Sequence, residues 1–146
     1  MATLYMQRAA VDSAVAQTHH VVALLARLLL VAIFFIAGFG KVTGFAGTVS
    51  LIASNGLPFP EIAAAIAIVV ELGMGFLVFV GWKTRWAALA IAIFTIVAGL
   101  LFHHYWTDAP AARMGDFINF WKNIAIAGGF LMIVAFGPGR YSIDRR

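Results

Sequence analysis

The chain has 146 residues, 63% of them hydrophobic and only 11% charged, with a formal net charge of +4 and a mean hydropathy of +0.97. A soluble domain is about a quarter charged and about half apolar, and a chain this short cannot hide so much apolar surface from water. The composition therefore excludes a water-soluble globular domain and points to an integral membrane protein. Cysteine is absent, which excludes disulfides, thiol redox chemistry, thiolate-held iron–sulfur clusters and zinc–thiolate sites.

Residues 1–20 read as a polar or weakly amphipathic lead on the cytoplasmic side, and the apolar run that follows is too long and starts too late for the h-region of a cleavable signal peptide. Four segments then reach the roughly 20 apolar residues that a bilayer core requires: Val21–Gly40, Ile62–Trp82, Trp86–Tyr105 and Phe117–Phe136. Between the first two, Phe45, Val49, Leu51 and Ile52 predict a short half-buried interfacial helix. Asn55-Gly56, Pro58 and Pro60 end it and launch the second span. Only Lys83-Thr84-Arg85 separates spans two and three, which makes them an antiparallel hairpin. The fold class expected is an all-α four-transmembrane-helix bundle, a single domain over 21–136 followed by a basic cytoplasmic tail over 137–146.

Cations set the orientation. Arg8, Lys83, Arg85, Arg140, Arg145 and Arg146 fall on one side, whereas Lys41 and Arg113 on the other are diluted by Glu61, Asp108 and Asp116. The excess of Lys and Arg places both termini in the cytoplasm. Trp82, Trp86, Trp106 and Trp121 fall near span ends, where an interfacial aromatic belt belongs. The small residues of spans two to four, Ala63, Ala67, Gly73, Gly75, Ala87 and Ala127 among them, suit close helix packing.

The candidate site comes from polar residues inside the spans. Glu71 falls near the midplane of span two, and an unpaired carboxylate there costs several kcal/mol. At about 1.5 Å of rise per residue, Arg27 lies about 10 Å in from the cytoplasmic side, and Lys122 and Asn123 lie about 8–9 Å in from the other. Arg27 and Lys122 are thus alternative counter-ions for Glu71, with long stems to bridge the difference in depth; an Arg27–Glu71 structural ion pair is one reading. His103, His104 and Lys41 close the outer end, and Thr95 sits mid-membrane. Glu71, Lys122, Asn123, His103 and Lys41 together predict a polar recess able to hydrogen-bond the carbonyls of an amphipathic molecule such as a quinone head group. Bundle haem is disfavoured, because His19 and His20 lie opposite His103 and His104 and give no axial pair at one depth. A metal at His103-His104 is disfavoured by the lack of a third ligand. No metal or covalent cofactor is expected, the sequence names no catalytic residue and leaves enzyme activity open, and nucleic acid is not an expected partner. A small multidrug exporter fits poorly, since those proteins carry their glutamate in the first span and show a weak cation bias.

The blocks RLLLVAIFFIAGFGKVTGFAGT, SNGLPFP, VVELGMGFLVFVGWKTRWAAL, FHHYW and FWKNIAIAGGFLM, in that order and spacing from Arg27 to Asp144, resemble the DoxX family of bacterial membrane proteins. The resemblance implies a four-helix inner-membrane protein with family positions at Arg27, Lys41, Glu71, His103, Lys122 and Asn123. It also implies an association with quinone-linked sulfur oxidation or with membrane oxidoreductase complexes that respond to oxidative stress. The expected function is a quinone- or amphiphile-binding subunit of a membrane redox system, with redox-enzyme subunits and a second copy of the chain as candidate partners. A non-catalytic membrane scaffold and a proton-coupled transporter are the alternatives.

Overall fold

A computed structural model describes residues 1–145; Arg146, counted above among the cations of the tail, lies outside the described residues. Every regular element among the described residues is helical: α1 (Ala2–Thr43), α2 (Phe45–Ser54), α3 (Pro60–Val80), α4 (Thr84–Phe102) and α5 (Pro110–Phe136). Four of these are long and apolar enough to cross a membrane: α1 from Gln17, α3, α4, and α5 from Arg113. The short helix expected between the first two spans is α2, which buries Ile52. The lead is not a separate element, since α1 runs unbroken from residue 2 into the first span.

Local chemistry sets the boundaries. Pro60 and Pro110 occupy the first helical turn, where a missing N–H leaves nothing unsatisfied. Gly81 ends α3 in the left-handed region at φ 76°, a conformation open to glycine at no steric cost. The turn is tight, because a Cβ at Gly81 would stand only 2.3 Å from the Cβ of Ser142. Within α3, residues Val69–Met74 widen into a π-helical turn, a feature that recurs at functional sites.

The core joins α1, α3, α4 and α5 around Val31, Phe34, Val78, Ile91 and Phe130. Phe34 and Phe130 meet edge to face, with ring centroids 5.3 Å apart, an arrangement favoured by the ring quadrupoles. The alanines do the close packing: Ala87, Ala88, Ala92 and Ala127 are all buried. Each span nevertheless buries only between 17% and 33% of its most apolar window inside the chain. Leu29, Ile36, Phe39 and Phe136 point outward, so the apolar exterior is matched to lipid rather than to water.

The C-terminal residues meet α1 around His20 and Arg27, at the end of the bundle that we term the terminal end. There residues 137–145 fold back across the helices. Arg27 is 2% exposed and donates from Nη1 to the Pro138 carbonyl at 2.9 Å and from Nη2 to the Tyr141 carbonyl at 2.6 Å. The Asp144 carboxylate accepts from the Lys83 N–H, the Thr84 N–H and the Thr84 hydroxyl at 3.0, 2.8 and 2.8 Å, which caps the N-terminus of α4. Asp144 and Ile143 also donate their own N–H groups to the carbonyls of Gly81 and Val80. The segment expected as a basic tail is thus a folded clasp.

Candidate functional site

Glu71 sits on the π-helical turn of α3 and its side chain is 7% exposed. Its partner is Lys41: the ammonium donates to both carboxylate oxygens, at 2.8 and 2.9 Å. This pair is neither of the two counter-ion pairings expected for Glu71. The reason is geometric. Side chains on a helix lean toward its N-terminus, and α1 runs away from the terminal end. Arg27 therefore leans toward the clasp and away from Glu71, while Lys41, fourteen residues and about 21 Å further along, leans back toward it. The expected Arg27–Glu71 ion pair is replaced by bonds from Arg27 to the clasp carbonyls.

Gly38 permits the approach. One helical turn before Lys41, it faces Leu72 and Glu71 so closely that an added Cβ would lie 2.6 Å from Leu72 Cδ2 and 3.3 Å from Glu71 Cβ. The ammonium has three N–H donors; two go to Glu71, and the Lys41 side chain remains 28% exposed. One donor is left to face a second partner.

The other members of the expected recess are engaged elsewhere. Lys122 is exposed and donates to Asn119 Oδ1 at 2.8 Å. Here α5 runs in the opposite sense to α1, so Lys122 leans away from the midplane. His103 lies 3.0 Å from Asp116, Nδ1 to Oδ1. Asn123 packs against Gly99, and Thr95 turns its hydroxyl onto the Ile91 carbonyl of its own helix. The structure thus brings Lys41 and Glu71 together and leaves Lys122, Asn123 and His103 outside their hydrogen-bonded group.

His103 belongs instead to a cluster at the end opposite the termini, unforeseen from the sequence as a unit. Asp108 lies within hydrogen-bonding reach of Asp116, with His104 and Arg113 nearby. Desolvation, and then the adjoining Asp116 carboxyl, raise the Asp108 carboxyl above its ordinary value. Tyr105, Trp106, Phe117, Phe120 and Trp121, from the same stretch of chain, are joined by edge-to-face contacts.

A family model, DoxX, matches residues 22–104. This chain belongs to the DoxX family. The matched stretch carries the Lys41–Glu71 pair, Gly38 and Arg27, whereas Lys122 and Asn123 fall beyond it. Two Escherichia coli (strain K12) proteins are similar over nearly their whole length. Inner membrane protein YphA is 44% identical over 126 residues, 86% of this chain and 90% of its own. Inner membrane protein YqjF is 39% identical over 122 residues, 84% of this chain and 88% of its own. A Surfeit locus protein 4 homolog of Drosophila melanogaster is 34% identical over 70 residues, 47% of this chain but only 26% of that protein. No solved structure matches. The chain is thus a multi-pass inner-membrane protein of the DoxX family, with its most deeply paired charges within the matched residues.

Proposed function

We propose that this DoxX-family protein binds an amphipathic small molecule, a quinone foremost, at the Lys41–Glu71 pair, and that it does so as a subunit of a membrane redox system. The observation that carries the reading is the asymmetry of the pair. Glu71 is buried and doubly bonded, while the Lys41 side chain is 28% exposed and its ammonium has a third N–H beyond the two that Glu71 accepts. That donor suits a carbonyl or an anionic head group arriving from the membrane. A mainly apolar groove of about 400 Å³ along α3, lined by Ile62, Ala65, Ile66, Val69 and Val70 with Glu61 at one end, offers space for a hydrocarbon tail. In this reading both termini face the cytoplasm, and redox-enzyme subunits or a second copy of the chain cover part of the exposed apolar exterior.

The test is purification in nanodiscs, solvent extraction and mass spectrometry, with Lys41→Met and Glu71→Gln/Lys41→Met prepared identically. Quinone enriched over bulk lipid in the wild type, and lost in both variants, is the expected result. One observation favours a second reading: the bidentate bond across the close Gly38 contact also fixes the register of α1 against α3. A scaffold locked in this way loses thermal stability in Lys41→Met and shows no enrichment of any small molecule in the wild type, and that outcome rejects the quinone reading.

A further inference from the structure

We infer that the terminal end of the bundle carries a separate binding site for the phosphodiester headgroup of an anionic phospholipid, held by Lys83 and Arg85. A cavity of about 300 Å³ lies there, lined by Lys83, Arg85, Trp86, Pro138 and Asp144. A tally of its polar groups determines what it can hold. Its acceptors are occupied. The Pro138 carbonyl accepts from Arg27, and the Asp144 carboxylate accepts from three donors of the α3–α4 turn. Its donors are not. Among the described residues the Lys83 ammonium forms no hydrogen bond or ion pair, and it stands 5.8 Å from the centre of the Trp82 ring. Arg85 donates to the Val134 and Ala135 carbonyls through Nη1 alone, which leaves Nη2 and Nε for another acceptor. A cavity whose free groups are an ammonium and half a guanidinium calls for an anion, and the planar guanidinium suits phosphate oxygens.

The surroundings select a lipid as the source. Trp82 is 50% and Trp86 75% exposed; they flank the turn at the ends of α3 and α4, and exposed indoles belong at the headgroup level of a bilayer. Basic pockets between membrane helices hold lipid headgroups in this manner. The Arg85 guanidinium is already fixed by two carbonyls, so little side-chain freedom is lost when it meets a phosphate. Because Pro138 and Asp144 form one wall, a bound headgroup would also brace the clasp.

The experiment uses the full chain in a neutral detergent, titrated with phosphatidylglycerol, phosphatidylcholine or inorganic phosphate, and reads the thermal midpoint and the bound lipid by native mass spectrometry. A saturable upward shift with phosphatidylglycerol, absent with phosphatidylcholine, is expected. Lys83→Asn should weaken it about fivefold and Lys83→Asn/Arg85→Gln about thirtyfold, at roughly 1 kcal/mol per cation near the membrane surface. Arg8→Gln removes the same charge from an exposed position on the lead and should leave binding unchanged. Equal loss in Arg8→Gln reduces the effect to net charge and overturns the site. So does an equal response to phosphatidylcholine. A matching shift with inorganic phosphate assigns the cavity to a soluble anion and overturns the lipid. If the double variant fails to fold, Lys83→Asn decides alone: the Lys83 side chain makes no hydrogen bond, and asparagine tolerates the positive φ of 46° at that position.

Discussion

Removing the two halves of the Lys41–Glu71 pair should have unequal consequences. Lys41→Met leaves the Glu71 carboxyl, 7% exposed, facing an apolar side chain with no counter-ion. Breaking a buried pair in this way costs roughly 3–5 kcal/mol. Glu71→Gln leaves the ammonium instead, but Lys41 is 28% exposed and stands two residues before the end of α1. It can swing to the interface along its flexible stem, and the glutamine carbonyl still accepts one of its hydrogen bonds, so the loss should be roughly 1–2 kcal/mol. Glu71→Gln/Lys41→Met buries no charge and should regain much of the difference, because replacing both members of a buried pair is often close to neutral. The assay is reversible unfolding in a fixed detergent, with the double-mutant cycle giving the coupling. Equal losses in the two single variants, or a larger loss in Glu71→Gln, would refute the reasoning, because Lys41 would then be the more deeply buried charge.

Gly38→Ala should destabilise by roughly 1–3 kcal/mol as Leu72 is forced aside, and the same unfolding measurement checks it; an unchanged midpoint means that α1 and α3 are not in close contact there. Asp144→Ala removes the acceptor of three hydrogen bonds at the start of α4 and should cost about 1–2 kcal/mol, read as a lowered midpoint with earlier proteolysis of the C-terminal residues. Because the folded protein holds the Asp108 carboxyl above its ordinary value, the folded state takes up the proton more readily than the unfolded chain. Its contribution is fully present below the ordinary carboxylate range and is lost as pH rises through the raised value. Unfolding midpoints measured across the weakly acidic range should therefore show a downward slope with pH that flattens in Asp108→Asn; an identical slope in that variant places the titration elsewhere.

The number of spans, the interfacial helix and the tight hairpin were legible in the sequence because each rests on a local signal. Some 20 apolar residues need a bilayer, paired prolines reset a helix, and a three-residue connection cannot do other than reverse the chain. The clasp was not legible as structure. Its bonds are mostly between backbone groups and Asp144, and a stretch such as GPGRYSIDRR has no hydrophobic period to announce it. The π-helical turn at Glu71 was hidden for a similar reason, since Val69–Met74 carries no Pro or charge pattern that separates it from an ordinary α-helix.

Depth alone assigns Glu71 the wrong partner, and the sense of each helix, which the sequence also contains, assigns the right one. By depth along the helix axis alone, Arg27 and Lys122 are the cations nearest the carboxylate, and Lys41 merely closes the far end. Direction matters as much as depth. Side chains lean toward the N-terminus of their own helix, and the spans alternate in sense. In α1 that lean carries Lys41 toward the midplane and Arg27 away from it, and in α5 it carries Lys122 toward Asn119 and out. Glu71, on a helix opposite in sense to α1, leans toward Lys41. The same rule accounts for Arg27 in the clasp: a cation on the first half of α1 leans toward the terminal end, where the carbonyls of Pro138 and Tyr141 are the acceptors within reach. The polar residues thus divide into a pair near the membrane centre, a lock at the terminal end and the cluster of His103, Asp108 and Asp116 at the other. Lys122, which depth alone joins to the pair, belongs to none of them.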